Sequence, residues 1–178
     1  GRRGAKVAIT DEAEAGTTQT ANVGASGTGM RVQKRDGSNQ TVDVNKIVRA
    51  VERCCTELPG VDPMRIATRT ISGLHDGATT TELDELSIRT AAALIVEEPN
   101  YSRLAARLLG TFIDKEVQNQ NVYSFSQSIE LGAECGLIHN SVLEFVQVHA
   151  RKLNNSVLEE RNNLFEFFGL RTIYDRYL

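Results

Sequence analysis

Three lysines stand at positions where a positive charge invites an anion. Lys34 follows a short alternating stretch, Lys46 stands in the first turn of a helical pattern, and Lys115 ends an apolar helical face. A cation in a first helical turn costs about 0.3–1 kcal/mol relative to a well-placed acid, because the dipole is positive there. A bound triphosphate would offset that cost, since helix N-termini and lysines both favour phosphate. With Thr80 near another helix start, the pattern indicates an anion site without a P-loop.

A bland alternative accounts for the same residues. A lysine taken alone is usually a solvated surface charge, and the linear sequence does not show that these lysines converge. A helical interaction module without a ligand would leave Lys34, Lys46 and Lys115 dispersed. The segment GASGTG at residues 24–29 is not interpreted as a phosphate loop, because it lacks the Lys-Ser/Thr and the preceding strand of that motif.

Composition excludes several other functions. The net charge is −3, so no overall basic surface points to nucleic acid. The chain has no apolar run of membrane-spanning length and no apolar core of a secretory signal near residue 1. Its three cysteines form no CxxC pair, and Cys54 and Cys55 fall inside a helical pattern. We therefore expect Cys54 and Cys55 to be reduced and buried, and we expect no metal site, no membrane-spanning segment and a cytoplasmic location.

The spacing of apolar residues, together with turn, capping and proline residues, predicts the strands and helices that must position the lysines. Residues 36–39, DGSN, predict the turn of a hairpin, and Asn45 is the expected N-cap of the next helix. Further helices are predicted from Pro63, from a capping box at Thr79 or Thr81, and from Tyr101. The fold class is α+β and mostly helical: a small sheet caps a four-helix bundle, and further helices follow. The motif NSVLE at residues 140 and 155 predicts two similar helix starts.

These motifs resemble a known family. VQKRDG at residues 32–37, DVNKI at 43–47, DGATT at 76–80 and PNYSRLAARLL at 99–109 occur in the order and spacing of the ATP-cone, the regulatory domain of many ribonucleotide reductase large subunits. FEFFGLRTIYDRYL at residues 165–178 is similar to the segment upstream of the catalytic barrel in class I reductases. The resemblance implies a tail or linker at 1–29, a cone at 30–120 and the helical start of the reductase N-terminal domain at 121–178.

The resemblance also implies a nucleotide site with ATP or dATP as allosteric effector and Mg²⁺ as its companion. Phosphate would contact Lys46 and Lys115, and the first strand would supply two cations for phosphate or base. Thr80 would lie by base or ribose, and the wrapping segment includes Gln40 and Asp43. The full set implied is Lys34, Arg35, Gln40, Asp43, Lys46, Thr80 and Lys115.

For the parent protein, the resemblance implies reduction of ribonucleoside diphosphates by radical chemistry, for DNA synthesis. Its partners would be a radical-generating small subunit, further copies of itself, and thioredoxin or glutaredoxin as reductant. The catalytic cysteines would lie beyond residue 178, so no catalytic role falls on the cysteines here. The alternatives are a degenerate cone that acts as an interaction module, and the cone of another reductase class.

Three residues depart from the pattern of some relatives. Asp84 and Phe112 each replace a histidine, and Gln40 replaces an acid. An inward carboxylate at Asp84 would repel phosphate. This departure bears on whether a second nucleotide binds and on whether dATP inhibits.

Overall fold

A computed structural model of the chain describes residues 29–177. The predicted tail therefore lies outside the described residues, apart from Gly29. In chain order the elements are β1 (Arg31–Gln33), β2 (Asn39–Thr41), α1 (Val44–Cys54), α2 (Pro63–Ser72), β3 (Ala78–Thr79), α3 (Thr80–Ala93), α4 (Asn100–Asn119), α5 (Phe125–Glu134), α6 (Asn140–Ser156), a 3₁₀ helix (Glu159–Leu164) and α7 (Phe167–Tyr177). This order confirms the predicted fold class.

The sheet has the strand order β2-β1-β3. β1 and β2 form the predicted antiparallel hairpin, and Gly37 takes the positive φ of 82° that its turn requires. β3 was not predicted. It pairs parallel to β1, with Val32 opposite Ala78, and the Asp76 carboxylate accepts a hydrogen bond of 2.7 Å from the backbone N–H of Arg31. A strand of two residues leaves no alternation to detect.

The N-cap predicted for α1 is wrong by two residues. Asp43, not Asn45, caps the helix: its carboxylate accepts a 2.9 Å hydrogen bond from the N–H of Asn45, and its backbone is extended. Asp43 follows β2 so closely that the chain turns directly from strand to helix. For α3 the capping box is formed by Thr79 and Glu82, one of the two boxes that the sequence allowed.

Two predicted helix boundaries also differ from the structure. The apolar pattern of α1 runs to Leu58, but the helix ends at Cys54, and Glu57 has a positive φ of 61°. The guanidinium of Arg107 on α4 donates to the carbonyls of Cys54 (3.0 Å) and Thr56 (2.6 Å), which satisfies acceptors that the helix end leaves free.

The second NSVLE segment does not start a helix. Residue 155 lies in the last turn of α6, which ends at Ser156, and the 3₁₀ helix begins at Glu159. The first NSVLE segment does begin α6, at Asn140. The side chain of His139 accepts a hydrogen bond from the N–H of Ser141 there, and residue 154 has no equivalent role.

The helices α1–α4 and the sheet share a buried core. One cluster joins the helices, and its members are Val51, Leu58, Ile66, Ala91, Leu94, Tyr101, Leu104 and Ala105. A second cluster seals the sheet onto α1 and α2, and its members are Val32, Val42, Ile47, Val48, Ala67, Leu74 and Ala78. The burial of these side chains holds the sheet at one end of the bundle, where the predicted site residues lie.

The remaining helices join this bundle unequally. α7 packs on α4, where its residues Phe167, Leu170 and Tyr174 cover a small cluster that includes Leu109 and Phe112. α5 and α6 pack mainly on each other. Among residues 29–177, no helix is long and apolar enough to cross a lipid bilayer.

Candidate functional site

A cavity of about 490 Å³ opens between the sheet and the helices α1, α3 and α4. Its inner wall is apolar, with Val32, Ile47, Val51, Leu83 and Leu108. Sites for drug-sized ligands and cofactors typically measure about 300–1,000 Å³ and combine apolar walls with a few polar groups. The cavity therefore has the size and the lining for a nucleotide-sized ligand.

Five of the seven predicted site residues line this cavity. They come from the second strand and its exit, from the first turns of two helices and from the far end of α4: Gln40, Asp43, Lys46, Thr80 and Lys115. Lys46 forms no ion pair with any residue from 29 to 177, so its ammonium is available to an anion. Residues 75 positions apart in sequence, from Gln40 to Lys115, thus meet at one opening.

The other two predicted residues do not line the cavity. Lys34 and Arg35 line a neighbouring, more open groove of about 520 Å³, together with residues 79–81 at the start of α3. Thr80 borders both spaces. The groove is thus a basic extension of the cavity mouth, and its two cations stand beside a helix N-terminus.

Two of the predicted cations are already paired with carboxylates. Lys115 Nζ lies 2.8 Å from each carboxylate oxygen of Asp84, which also lines the cavity. The guanidinium of Arg35 binds Glu116 at 2.8 and 3.0 Å, and its Nη2 lies 3.8 Å from Asp84. An incoming phosphate must therefore compete with Asp84 for Lys115.

The carboxylate of Asp43 has a different role from that of Asp84. Because Asp43 caps α1, it accepts the N–H of Asn45, and it precedes the lysine of the first turn by three residues. The first turn of α1 holds no acidic residue. Lys46 forms no ion pair with Asp43 or with any other residue from 29 to 177, so its ammonium can pair with a bound anion.

Sequence reasoning missed some lining residues. Arg53, Cys54 and Thr111 also line the cavity. Arg53 is seven residues after Lys46 and therefore two helical turns along the same face of α1, a spacing that could have identified it. Burial raises the pKa of the Cys54 thiol, whose Sγ lies 3.9 Å from the hydroxyl oxygen of Thr111. Cys54 thus contributes its side chain to the wall of the cavity.

Metal ligands are not clustered here. Within residues 29–177, no group of three or more His, Cys, Asp or Glu side chains could hold a metal ion. Asp84 and Asp43 are each engaged in the contacts described above. The donor set fits a metal ion only if the ligand brings most of the coordinating oxygens, as nucleotide phosphates do for Mg²⁺.

Comparison with known families assigns this region. The family described as the ATP cone domain matches residues 30–116, the segment that carries the sheet, α1–α3, most of α4 and the cavity. Residues 30–116 are an ATP-cone domain. The cone thus supplies the whole lining of the cavity, and the domain boundary predicted at residue 120 remains a prediction.

Curated relatives extend the similarity beyond the cone. The chain is 32% identical over 157 residues to the ribonucleoside-diphosphate reductase large chain of Neurospora crassa. It is 31% identical to the corresponding large subunits of Danio rerio (157 residues) and Arabidopsis thaliana (160 residues). Each alignment covers 84% of this chain, and the chain spans only 17–20% of these relatives. The resemblance to this enzyme family is confirmed.

Proposed function

We propose that the cone of this chain binds ATP or dATP, with Mg²⁺ carried by the phosphates, as an allosteric effector. The observation that carries the proposal is the convergence of Lys46, Thr80 and Lys115 on one cavity of suitable volume. The apolar wall would take the base, and Lys46 with the N-termini of α1 and α3 would face the phosphates. Lys34 and Arg35 would reach the same phosphates from the groove.

For the longer protein to which such a cone would belong, we propose the activity named in its relatives: reduction of ribonucleoside diphosphates. Its partners would be a radical-generating small subunit, further copies of the large subunit, and thioredoxin or glutaredoxin. This chain would contribute regulation. Two effectors can act in opposite directions only if each binds the two assemblies with unequal affinity.

The decisive experiment is calorimetric titration of the 178-residue chain with ATP and then with dATP, in the presence of Mg²⁺. We expect micromolar binding of both nucleotides. A charge-assisted hydrogen bond is worth about 1.5–3 kcal/mol, so Lys46→Ala should weaken binding by about tenfold or more. Lys152→Ala is the matched control, because Lys152 is exposed on α6 and does not line the cavity.

A second candidate is a degenerate cone that acts as an interaction module, and the Asp84–Lys115 pair favours it. Asp84→Asn separates the two readings. If Asp84 merely competes with phosphate, the variant should bind ATP about fivefold more tightly, a gain of about 1 kcal/mol. A folded wild-type chain and a folded Asp84→Asn chain that both fail to bind ATP and dATP would rule out the nucleotide-binding proposal.

A further inference from the structure

Two adjacent acids on α3 point to different partners. Asp84 binds Lys115 at the cavity, at 2.8 Å. Glu85 binds the guanidinium of Arg171 on α7, at 3.0 and 3.1 Å. One turn of α3 therefore connects the cation of the cavity to a helix outside the cone match.

An aromatic contact makes a second connection between the same places. The guanidinium of Arg35, in the groove, lies 5.9 Å from the ring centroid of Phe112 on α4. That ring meets the ring of Tyr174 on α7 edge to face, with centroids 5.9 Å apart. The guanidinium of Arg171 covers Tyr174 at 5.8 Å. A continuous set of contacts therefore runs from the groove to α7.

We propose that α7 reports whether the cavity is occupied, and that an anionic ligand loosens its docking. The proposal rests on the proposed function. A phosphate that draws Lys115 away leaves Asp84 without its main partner, and the Nη2 of Arg35 is already only 3.8 Å from Asp84. When Arg35 moves toward Asp84, or toward the phosphate itself, Phe112 loses the cation over its face. Because Arg35 then no longer packs on the ring of Phe112, the edge-to-face contact between Phe112 and Tyr174 is weakened, and with it the docking of α7.

The proposal fixes the sign of the effect on affinity. A ligand that loosens α7 binds better when α7 is already loose, because coupling free energies are reciprocal. Variants that weaken α7 docking should therefore tighten nucleotide binding, although the altered residues do not line the cavity. A merely structural role for α7 predicts the opposite, since a damaged fold lowers affinity or leaves it unchanged.

The first test is the affinity of the 178-residue chain for ATP. Arg171→Gln removes the bonds to Glu85 and should tighten binding by about fivefold, within the usual range of allosteric coupling. Arg176→Gln is the matched control: Arg176 is exposed on the same helix and forms no ion pair with the residues described. Tyr174→Leu tests the aromatic contact independently and should act in the same direction.

The second test is hydrogen exchange of the amides of α7. Saturating ATP should speed their exchange in the wild-type chain. Lys115→Gln leaves Asp84 unpaired without any ligand, so it should speed the exchange of α7 on its own. Adding Asp84→Asn to Lys115→Gln removes the charge that attracts Arg35, and it should restore slow exchange.

The outcomes separate this proposal from the proposed function. If ATP binds but neither Arg171→Gln nor Tyr174→Leu tightens binding and α7 exchanges at an unchanged rate, α7 is not coupled to the cavity. If ATP does not bind, the proposed function fails, and Lys115→Gln decides the coupling alone. Unchanged exchange of α7 in that variant would overturn it.

Discussion

The cone and the α5–α6 hairpin both contain regular helices, but they differ in the burial of their apolar side chains. Of these two regions, the cone has an extensive buried apolar core. Ile66, Leu104 and Leu109 have no exposed surface at all. In the hairpin, the buried residues are Ser126 on α5 and Val146 on α6. Phe145 and Val148 of α6 are 59% and 79% exposed. Helical periodicity in the sequence therefore does not show whether the apolar face of a helix is buried against another element.

This difference locates the stability of the chain. Burial of apolar surface is the main force that stabilises a fold, so the cone should hold most of the free energy of unfolding. Polar contacts contribute to the packing of α5 on α6. The backbone N–H of Ser126 donates to the side-chain oxygen of Asn154, and the side-chain nitrogen of Asn154 donates to the hydroxyl of Ser126, each at 3.0 Å. Four measurements test this contrast.

The largest contrast is expected from two leucine truncations. Leu104→Ala removes a fully buried side chain from the cone and should lower the free energy of unfolding by about 2–5 kcal/mol. Leu137→Ala, in the turn between α5 and α6, changes a residue that is 82% exposed and should cost less than about 0.5 kcal/mol. Urea denaturation followed by circular dichroism measures both. Equal losses would show that the hairpin also has a closed core.

The cysteines report the same contrast by chemistry. Burial, with Cys54 beside it, raises the pKa of the Cys55 thiol to about 11, and burial raises the pKa of Cys54 as well. Cys135, at the end of α5, is exposed. Because the thiolate is the nucleophile, alkylation at pH 8 should modify Cys135 about a hundredfold faster than Cys55. Mass spectrometry of the modified peptides measures the rates, and comparable rates at the two sites would contradict the partial burial of Cys55.

Helix caps give an intermediate contrast. Thr79→Ala removes the side chain that accepts the N–H of Glu82, and should destabilise the cone by about 0.5–2 kcal/mol. Ser124→Ala removes the matching cap of α5. Its effect should be confined to fraying of α5, visible as faster hydrogen exchange there with an unchanged unfolding midpoint of the cone. A shift of that midpoint in Ser124→Ala would mean that the two regions unfold together.

The smallest effect concerns acid. The backbone N–H and the hydroxyl of Thr79 donate to the carboxylate of Glu82 and hold its pKa below its usual range. A lowered pKa in the folded state stabilises the cone above the unfolded pKa of about 4.3, and this stabilisation is lost as the pH falls through the folded pKa. Glu82→Gln should therefore flatten the loss of stability on acidification. Chemical denaturation at pH 3 and pH 7 tests this, and an unchanged pH dependence would count against it.

The sequence was informative where local chemistry decides structure. Pro63 stands where α2 begins, α4 begins at Asn100, one residue before the predicted Tyr101, and the capping box of α3 formed at one of the two positions that the sequence allowed. It was misleading where tertiary contacts decide. Leu58 continues the helical pattern of α1, yet it reaches the core from a turn that Arg107 holds from another helix.

The candidate site shows the same limit. Charge and helix position selected Lys46, Thr80 and Lys115, and the fold brings them to one cavity. The sequence could not show that Arg35 turns toward Glu116, because those residues are 81 positions apart. It raised the question of where Asp84 points, and the fold answers it by directing that carboxylate at Lys115.

The parallel pairing of β1 with β3 has a consequence for the order of folding. β1 and β2 are joined by a short turn, whereas β3 reaches β1 only after α1 and α2 have been traversed. Closing a long loop costs more entropy than closing a short one, so we expect the β1–β2 hairpin to form before β3 pairs with it. Thr80 follows β3 directly, so the part of the cavity rim that it forms should be completed only after the β1–β2 hairpin.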